Sequence, residues 1–306
     1  MRNACSVRSL ALAAVIAAMS PASAAWACSQ CLCGTPFTSD VLGGIVPSQF
    51  RYGFEDRYLS KSNRLEDEPG TEREREHRVS TFAMWRPLDR LALLGRVAYN
   101  VKEITEVPED GAASTGRSRG FGDAEVQALV GLAQSTGARR ASAGLVLGVG
   151  VPTGRNAVAD GSGQRLDEHL QPGTGAWSGT AGLQFGLATP RGALDASVLG
   201  RTNAANANGY RYGDVLLFNA GYTSPARGGW ALSAQWNGRV AGRDRQEDGR
   251  DGENTGGSVV YLAPGARWRG GAGLGVDASV QIPVLQSLDG EQTEHATARI
   301  GLSLGR

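Results

Sequence analysis

From Gln49 to Arg306 the chain is built of ten- to fourteen-residue stretches that alternate apolar with polar or small residues. The last stretch shows the rule. Ala296, Ala298, Ile300, Leu302 and Leu304 fall on one face, and His295, Thr297, Arg299, Gly301 and Ser303 on the other. A period of two means an extended strand with unlike faces. Such stretches exceed the ~5–6 residues of an ordinary soluble strand but suit the ~9–11 needed to cross a bilayer on a tilt. They are expected near residues 49–60, 76–86, 91–104, 121–134, 141–152, 175–188, 191–203, 213–224, 228–240, 257–268, 273–285 and 294–305.

The connections sort by length. Short ones hold Pro87-Leu88-Asp89, Ser135-Thr136-Gly137, Thr189-Pro190-Arg191-Gly192, Ser224-Pro225-Ala226 and Arg269-Gly270-Gly271, all turn-forming. Long, polar ones cover 61–75, 105–120, 153–174, 204–212, 241–256 and 286–293. Tight turns at one end and long loops at the other describe an all-β fold, a transmembrane antiparallel up-and-down β-barrel of about twelve strands, with turns periplasmic and loops outside. Only a closed barrel or a helix can satisfy its backbone inside lipid. No stretch of about 18 apolar residues offers a spanning helix. A secreted soluble β-protein is the competing reading, since alternation does not say whether the apolar face meets lipid or a core.

Residues 1–24 read as a signal peptide: Arg2 and Arg8, an apolar run from Leu10 to Met19, then Ala22-Ser23-Ala24 as a cleavage site. This places the chain in the outer membrane of a Gram-negative cell, with residues 25–47 as a periplasmic N-terminal segment and 48–306 as the barrel. Without Arg2 and Arg8 the formal charge moves from +1 to −1, which argues against a nucleic-acid partner. No nucleotide-binding motif is present.

Four short patterns resemble a group of bacterial outer-membrane proteins labelled transporters or phenol-degradation meta-pathway proteins. They are Gly120-Phe121-Gly122-Asp123, Gly150-Val151-Pro152-Thr153-Gly154, Gln171-Pro172-Gly173-Thr174-Gly175 and Leu262-Ala263-Pro264-Gly265-Ala266-Arg267. Their order and spacing match over about residues 48–306. The resemblance implies an outer-membrane barrel that passes small, including aromatic, molecules, and it supplies no active-site residues. This chain departs from the common aromatic terminus of such barrels by ending Leu304-Gly305-Arg306.

Three groups of residues are candidates for chemistry. Cys28, Cys31 and Cys33 follow the signal directly, and three cysteines cannot all pair within one exported chain. They suit a Cys28–Cys33 or Cys28–Cys31 disulfide with a free thiol, a thiolate-bound Cu(I) or Zn, or a cluster shared with a periplasmic redox or metal partner. Lipid attachment at Cys28 has a poor approach in Ala25-Trp26-Ala27, and no histidine follows the Cys-x-x-Cys pair to suit haem.

If the apolar faces meet lipid, Arg96, Asp123, Glu125, Asp195, Arg201, Arg239, Asp277 and Arg299 face the lumen. They form either a mutually neutralising packed network or a polar channel whose charges tune selectivity. The histidines are His77, His169 and His295, and no Gly-x-Ser-x-Gly accompanies them, so no enzyme is expected. Aromatic residues including Phe50, Tyr52, Trp85, Tyr99, Tyr210, Tyr212 and Trp230 are expected to form an interfacial girdle, with Tyr210 and Tyr212 as the alternative solute-stacking pair. The expected function is passive passage of a small solute, without a cofactor, through a barrel held by membrane lipid. The alternative is a metal or redox conduit using the cysteines.

Overall fold

A computed structural model describes residues 49–65, 69–252 and 254–305. The alternating stretches become strands β1 (Phe50–Arg64), β2 (Gly70–Leu88), β3 (Leu91–Pro108), β4 (Ser114–Phe121), β5 (Ala124–Gln134), β6 (Arg140–Val151) and β7 (Ser178–Thr189). They continue as β8 (Gly192–Asn203), β9 (Val215–Thr223), β10 (Trp230–Ala241), β11 (Gly257–Arg269), β12 (Leu274–Leu288), β13 (Thr293–Glu294) and β14 (Thr297–Gly305). β4 and β5 pair with successive parts of β3, and β13 and β14 with successive parts of β1. Each pair is therefore one stave broken by two residues, and the barrel has twelve staves.

All the ladders are antiparallel between chain neighbours, and β14 closes onto β1. The last seam joins β9 to β10. Its backbone bonds run from Ser224 N–H to the Leu232 carbonyl and from Gly242 N–H to the Asp214 carbonyl (2.8 and 2.7 Å). That register sets Phe218 opposite Gly238, where the ring occupies the space a side chain at Gly238 would need. One position inward, Asn219 and Asn237 hydrogen-bond across the same seam. No edge is left open, the condition for a sheet in lipid.

The barrel is apolar outside and polar inside. Phe54, Leu183, Phe185, Leu194, Val198, Leu216, Leu232, Trp236, Ile300 and Leu302 are exposed on the outer wall. Arg57, Glu76, Arg78, Asn100, Lys102, Gln184, Asn237 and Arg239 are buried on the inner one. Exposing that many large apolar side chains to water is not how soluble proteins are arranged, so the soluble reading fails here.

Two expected loops are not loops. Residues 61–75 and 105–120 are mostly strand where described, because β1 runs to Arg64, β2 begins at Gly70, β3 runs to Pro108 and β4 begins at Ser114, well past the apolar belt. Beyond the belt both faces are polar, so hydrophobic alternation vanishes while the ladder continues, for example Arg73↔Thr105 and Glu103↔Arg117.

Candidate functional site

The lumen of this barrel is filled from above by its longest loop. Residues 152–177 leave β6, fold inward and return to β7, with one 3-10 turn at Glu168–Leu170. Leu170, Gln171 and Pro172 are buried in the barrel although they belong to a loop. The Gln171 side chain is fully enclosed. It accepts from Val158 N–H (2.9 Å) and donates to the carbonyls of Val158 and Leu166 (3.1 and 2.8 Å), which gives the loop an internal spine. Arg165 reaches back to Glu168 at 2.7 Å, and that carboxylate holds the guanidinium above its ordinary pKa.

One end of the plug is tied by a knot in which three of the sequence patterns meet. Asp123, in the break between β4 and β5, accepts from Gly154 N–H at Oδ1 (2.9 Å). Its Oδ2 accepts from Thr174 N–H and the Thr174 hydroxyl (2.8 and 2.5 Å). Asn100 on β3 donates to the Pro172 carbonyl (2.6 Å). Gly154 and Gly173 touch backbone to backbone. A Cβ on Gly154 would lie 2.7 Å from the Gly173 Cα, and one on Gly173 2.6 Å from the Gly154 Cα, so neither position admits a side chain.

The other end is tied by a polar cluster. Tyr212 donates its hydroxyl to the Glu168 carbonyl (3.0 Å), and Lys102 its ammonium to the His169 carbonyl (2.8 Å). Ser118 bonds the Leu170 carbonyl. Tyr210 donates to the buried Asp244 (2.7 Å), and its hydroxyl lies 3.3 Å from His169 Nε2. Tyr210 and Tyr212 are therefore interior struts and not girdle residues. They fall in the 204–212 connection, where strand phase no longer says which way a side chain points.

The plug divides the interior. On the loop side a cavity of about 310 Å³ is lined by Lys61, Asn63, Glu72, Glu74, His169 and Leu170, among others. On the turn side of Pro172–Thr174 a smaller chamber of about 70 Å³ meets Arg78, Arg96, Asn100, Glu125 and Arg201. Residues 169–174 contribute to both linings, and the buried Lys102 and Glu76 stand between the two on β3 and β2.

The inner wall below the plug carries paired charge. Arg96 meets Glu125 at 2.5 Å, Arg201 stands 4.0 Å from the same carboxylate, and Gln127 donates to it (2.9 Å). Arg299 bridges Glu55 and Asp277 (3.2 and 3.1 Å), and Arg57 also meets Glu55 (3.2 Å). Nearer the loop end, where Glu294 faces Lys61 in the ladder, Arg239 pairs with Glu294, to which Tyr261 also donates. Asp195 lies on the inner face of β8, beside Gly221.

Of the eight expected lumen charges, Asp123 is a loop tie, Arg96, Glu125 and Arg201 form one cluster, and Asp277 and Arg299 belong to a second with Glu55 and Arg57. Arg239 pairs separately with Glu294, and Asp195 stands beside Gly221. Glu55, Arg57, Glu76, Arg78, Lys102 and Glu294 are further buried charges among the described residues that the sequence reading does not single out. The signal for the first two was available, since Phe50, Tyr52 and Phe54 on one face of β1 put Arg51, Glu55 and Arg57 on the other.

The remaining candidates are spread apart. Cys28, Cys31 and Cys33, the signal peptide and the 25–47 segment lie outside the described residues. His77 is on the outer face, 3.9 Å from Asp56, and His295 is beside the Ser62 hydroxyl at 3.1 Å. Neither approaches His169. Among the described residues no three His, Cys, Asp or Glu side chains are placed to hold a metal ion.

The model of a protein family described as "Putative MetA-pathway of phenol degradation" matches residues 86–284, a shorter span than the 48–306 expected but one holding all four patterns. No curated protein matches the chain. Among solved structures, an outer membrane channel from Pseudomonas putida F1 superposes with a TM-score of 0.63 at 12% identity, covering 85% of this chain and 96% of that one. The transport unit of the autotransporter AIDA-I from Escherichia coli follows with a TM-score of 0.52 at 10% identity, covering 85% and 91%. At such identities these likenesses concern the fold.

Proposed function

This chain belongs to that phenol-degradation family, and from that premise we propose that it is a gated outer-membrane channel for passive passage of a small, phenol-like aromatic solute. The observation that carries the reading is the plugged polar lumen. Two polar-lined cavities lie on opposite sides of the 169–174 segment inside a barrel whose outer wall is apolar. A purely structural barrel has no need of a vestibule on the far side of its plug. The family description and the outer-membrane channel of the same fold point the same way.

In this reading the loop-side cavity receives the solute. Displacement of residues 169–174 by a few ångström joins it to the chamber beneath. The Arg96–Glu125–Arg201 cluster then presents fixed hydrogen-bonding groups of both signs to a phenolic hydroxyl or a carboxylate. Passage follows the concentration gradient and no bond is made or broken, so the protein is not an enzyme. Outer-membrane residence, with the hairpin tips outside, follows from the loop asymmetry.

The test is solute entry into liposomes carrying the purified protein, with phenol, benzoate and a neutral sugar as probes. Entry of the aromatic probes well above that of protein-free liposomes is expected, with sugar excluded. Equal rates with and without protein, in both the parent chain and an Asp123→Ala variant with a loosened plug, would refute the channel.

A further inference from the structure

The hairpins β1–β2 and β3–β4 stand taller than the rest of the barrel. β2 and β3 are 19 and 18 residues long, against 12 for β7 and β8 and 9 for β9. The register stacks the outer face of this wall in rows. Val79, Tyr99 and Phe121 form one row, with Tyr99 and Phe121 edge-to-face at 5.3 Å. The next rows outward are His77–Val101–Arg119, Arg75–Glu103–Arg117 and Arg73–Thr105–Thr115. Tyr58 of β1 stands beside His77, with ring centres 4.9 Å apart.

Along the upper part of β2 the charges are sorted by sign, which a hairpin standing freely in water does not require. In the run from Thr71 to His77, Glu72, Glu74 and Glu76 take the inner phase, with Glu74 and Glu76 buried, while Arg73, Arg75 and His77 are exposed outward. β4 repeats the arrangement with Arg117 and Arg119 outward and Ser118 inward. Glu103 is the single carboxylate among the four arginines, 3.4 Å from Arg75 and 2.8 Å from Arg117. Two residues along a strand advance about 7 Å and neighbouring strands lie about 4.8 Å apart, so the four guanidinium stems start within about 17 Å of one another.

An aromatic row marks the depth at which hydrocarbon gives way to headgroups. The arginines begin one row above it, on the lipid side of the wall and at the loop end. We propose that this surface binds the phosphorylated headgroup of the glycolipid that makes up the outer leaflet. The arginines would bond its phosphates in the forked geometry guanidinium favours, while Val79, Val101, Tyr99 and Phe121 lie against the start of its acyl chains. The site needs the barrel to sit in an outer membrane but does not depend on what crosses the lumen.

The full chain, purified in detergent and checked for folding by its heat-shifted gel mobility, is titrated with bisphosphorylated lipid A and bound lipid is counted by native mass spectrometry. The variant Arg73→Gln, Arg75→Gln, Arg117→Gln, Arg119→Gln is expected to bind at least tenfold more weakly. Glu103→Gln, which removes the one opposing charge, is expected to bind several-fold more tightly. Dephosphorylated lipid A should bind the parent as weakly as lipid A binds the four-glutamine variant. The proposal is overturned if the four-glutamine variant and the parent retain lipid A equally, or if Glu103→Gln weakens binding. It is also overturned if phosphatidylglycerol or inorganic phosphate alone binds the parent as tightly as lipid A does.

Discussion

Removing the Asp123 carboxylate should open the barrel without unfolding it. In Asp123→Ala the plug loses three hydrogen bonds at once, those from Gly154 N–H, Thr174 N–H and the Thr174 hydroxyl (2.9, 2.8 and 2.5 Å). A hydrogen bond to a charged group contributes about 1.5–3 kcal/mol net, and an orphaned donor shut away from water costs about 1–3 kcal/mol. The three bonds share one carboxylate, so their loss does not sum. A total of about 3–5 kcal/mol is reasonable. The far end of the plug keeps its ties from Lys102, Ser118 and Tyr212, and the strand ladders are untouched. The cost therefore falls on the seated position of the plug and leaves the barrel intact.

At about 1.4 kcal/mol per tenfold, 3 kcal/mol raises the unseated population by roughly 150-fold. Single-channel recording in planar bilayers reads this directly as the fraction of time spent at the open level. Asp123→Asn keeps the side-chain shape but replaces one acceptor oxygen by a donor, and should fall between parent and alanine variant. If the open fraction of Asp123→Ala stays within twofold of the parent while the barrel remains folded, the knot is not what seats the plug.

Three further outcomes are expected. Arg299→Met should lower the heat-shift temperature of the folded barrel markedly, because Glu55 and Asp277 would lose a shared buried cation (3.2 and 3.1 Å), a defect of about 3–5 kcal/mol. Leu183→Arg should cost about 2–4 kcal/mol of folding into bilayers, since Leu183 is outward on a central stretch of β7, and an effect near zero would mean that this face does not meet hydrocarbon. The Ser162 hydroxyl, helped by backbone N–H groups, holds the Asp160 carboxyl below its ordinary pKa in the plug loop. A depressed carboxyl stabilises the loop fully above the unfolded value near 3.9 and loses that contribution as pH falls through the lower folded value. Hydrogen exchange across residues 160–164 should therefore be protected at pH 6 and lose that protection as pH falls below the ordinary carboxylate range, with Asp160→Ala unprotected throughout.

How much of this was legible in the residues depends on where each segment lies relative to lipid. In β10, β12 and β14 one face meets hydrocarbon and the other a polar lumen, so Trp230, Leu232, Ala234 and Trp236 alternate cleanly with Ser233, Gln235 and Asn237. By contrast, β11 carries Val259 and Tyr261 inward and reads as apolar on both faces. All twelve staves can be placed on that basis, to within a few residues over most of the barrel. The rule fails where its cause is absent. Thr71 to His77 is as much strand as Val79 to Trp85, yet both of its faces are polar. Its pattern is one of charge sign, not of hydropathy, and a reading tuned to apolar residues takes it for loop.

The interior was legible in direction but not in partnership. Strand phase says that Arg299 and Asp277 point inward. It does not say that β12, β14 and β1 bring Asp277, Arg299 and Glu55 to one point, because that depends on the register between staves. The four patterns pose the reverse case. They stand out as short strings with no chemistry of their own, and three of them turn out to be the two glycines, the carboxylate and the threonine of a single knot. Gly154 and Gly173 are required by backbone contact, Asp123 and Thr174 by the donors they satisfy. A signature built of such residues describes how a plug is seated, and a channel can keep that seat while changing what it admits. Selectivity then has to reside in side chains that the patterns leave out, such as Arg78, Arg96, Glu125 and Arg201 around the lower chamber. Substitutions there should alter which solute passes while leaving the open fraction alone, and substitutions at Asp123 should do the opposite.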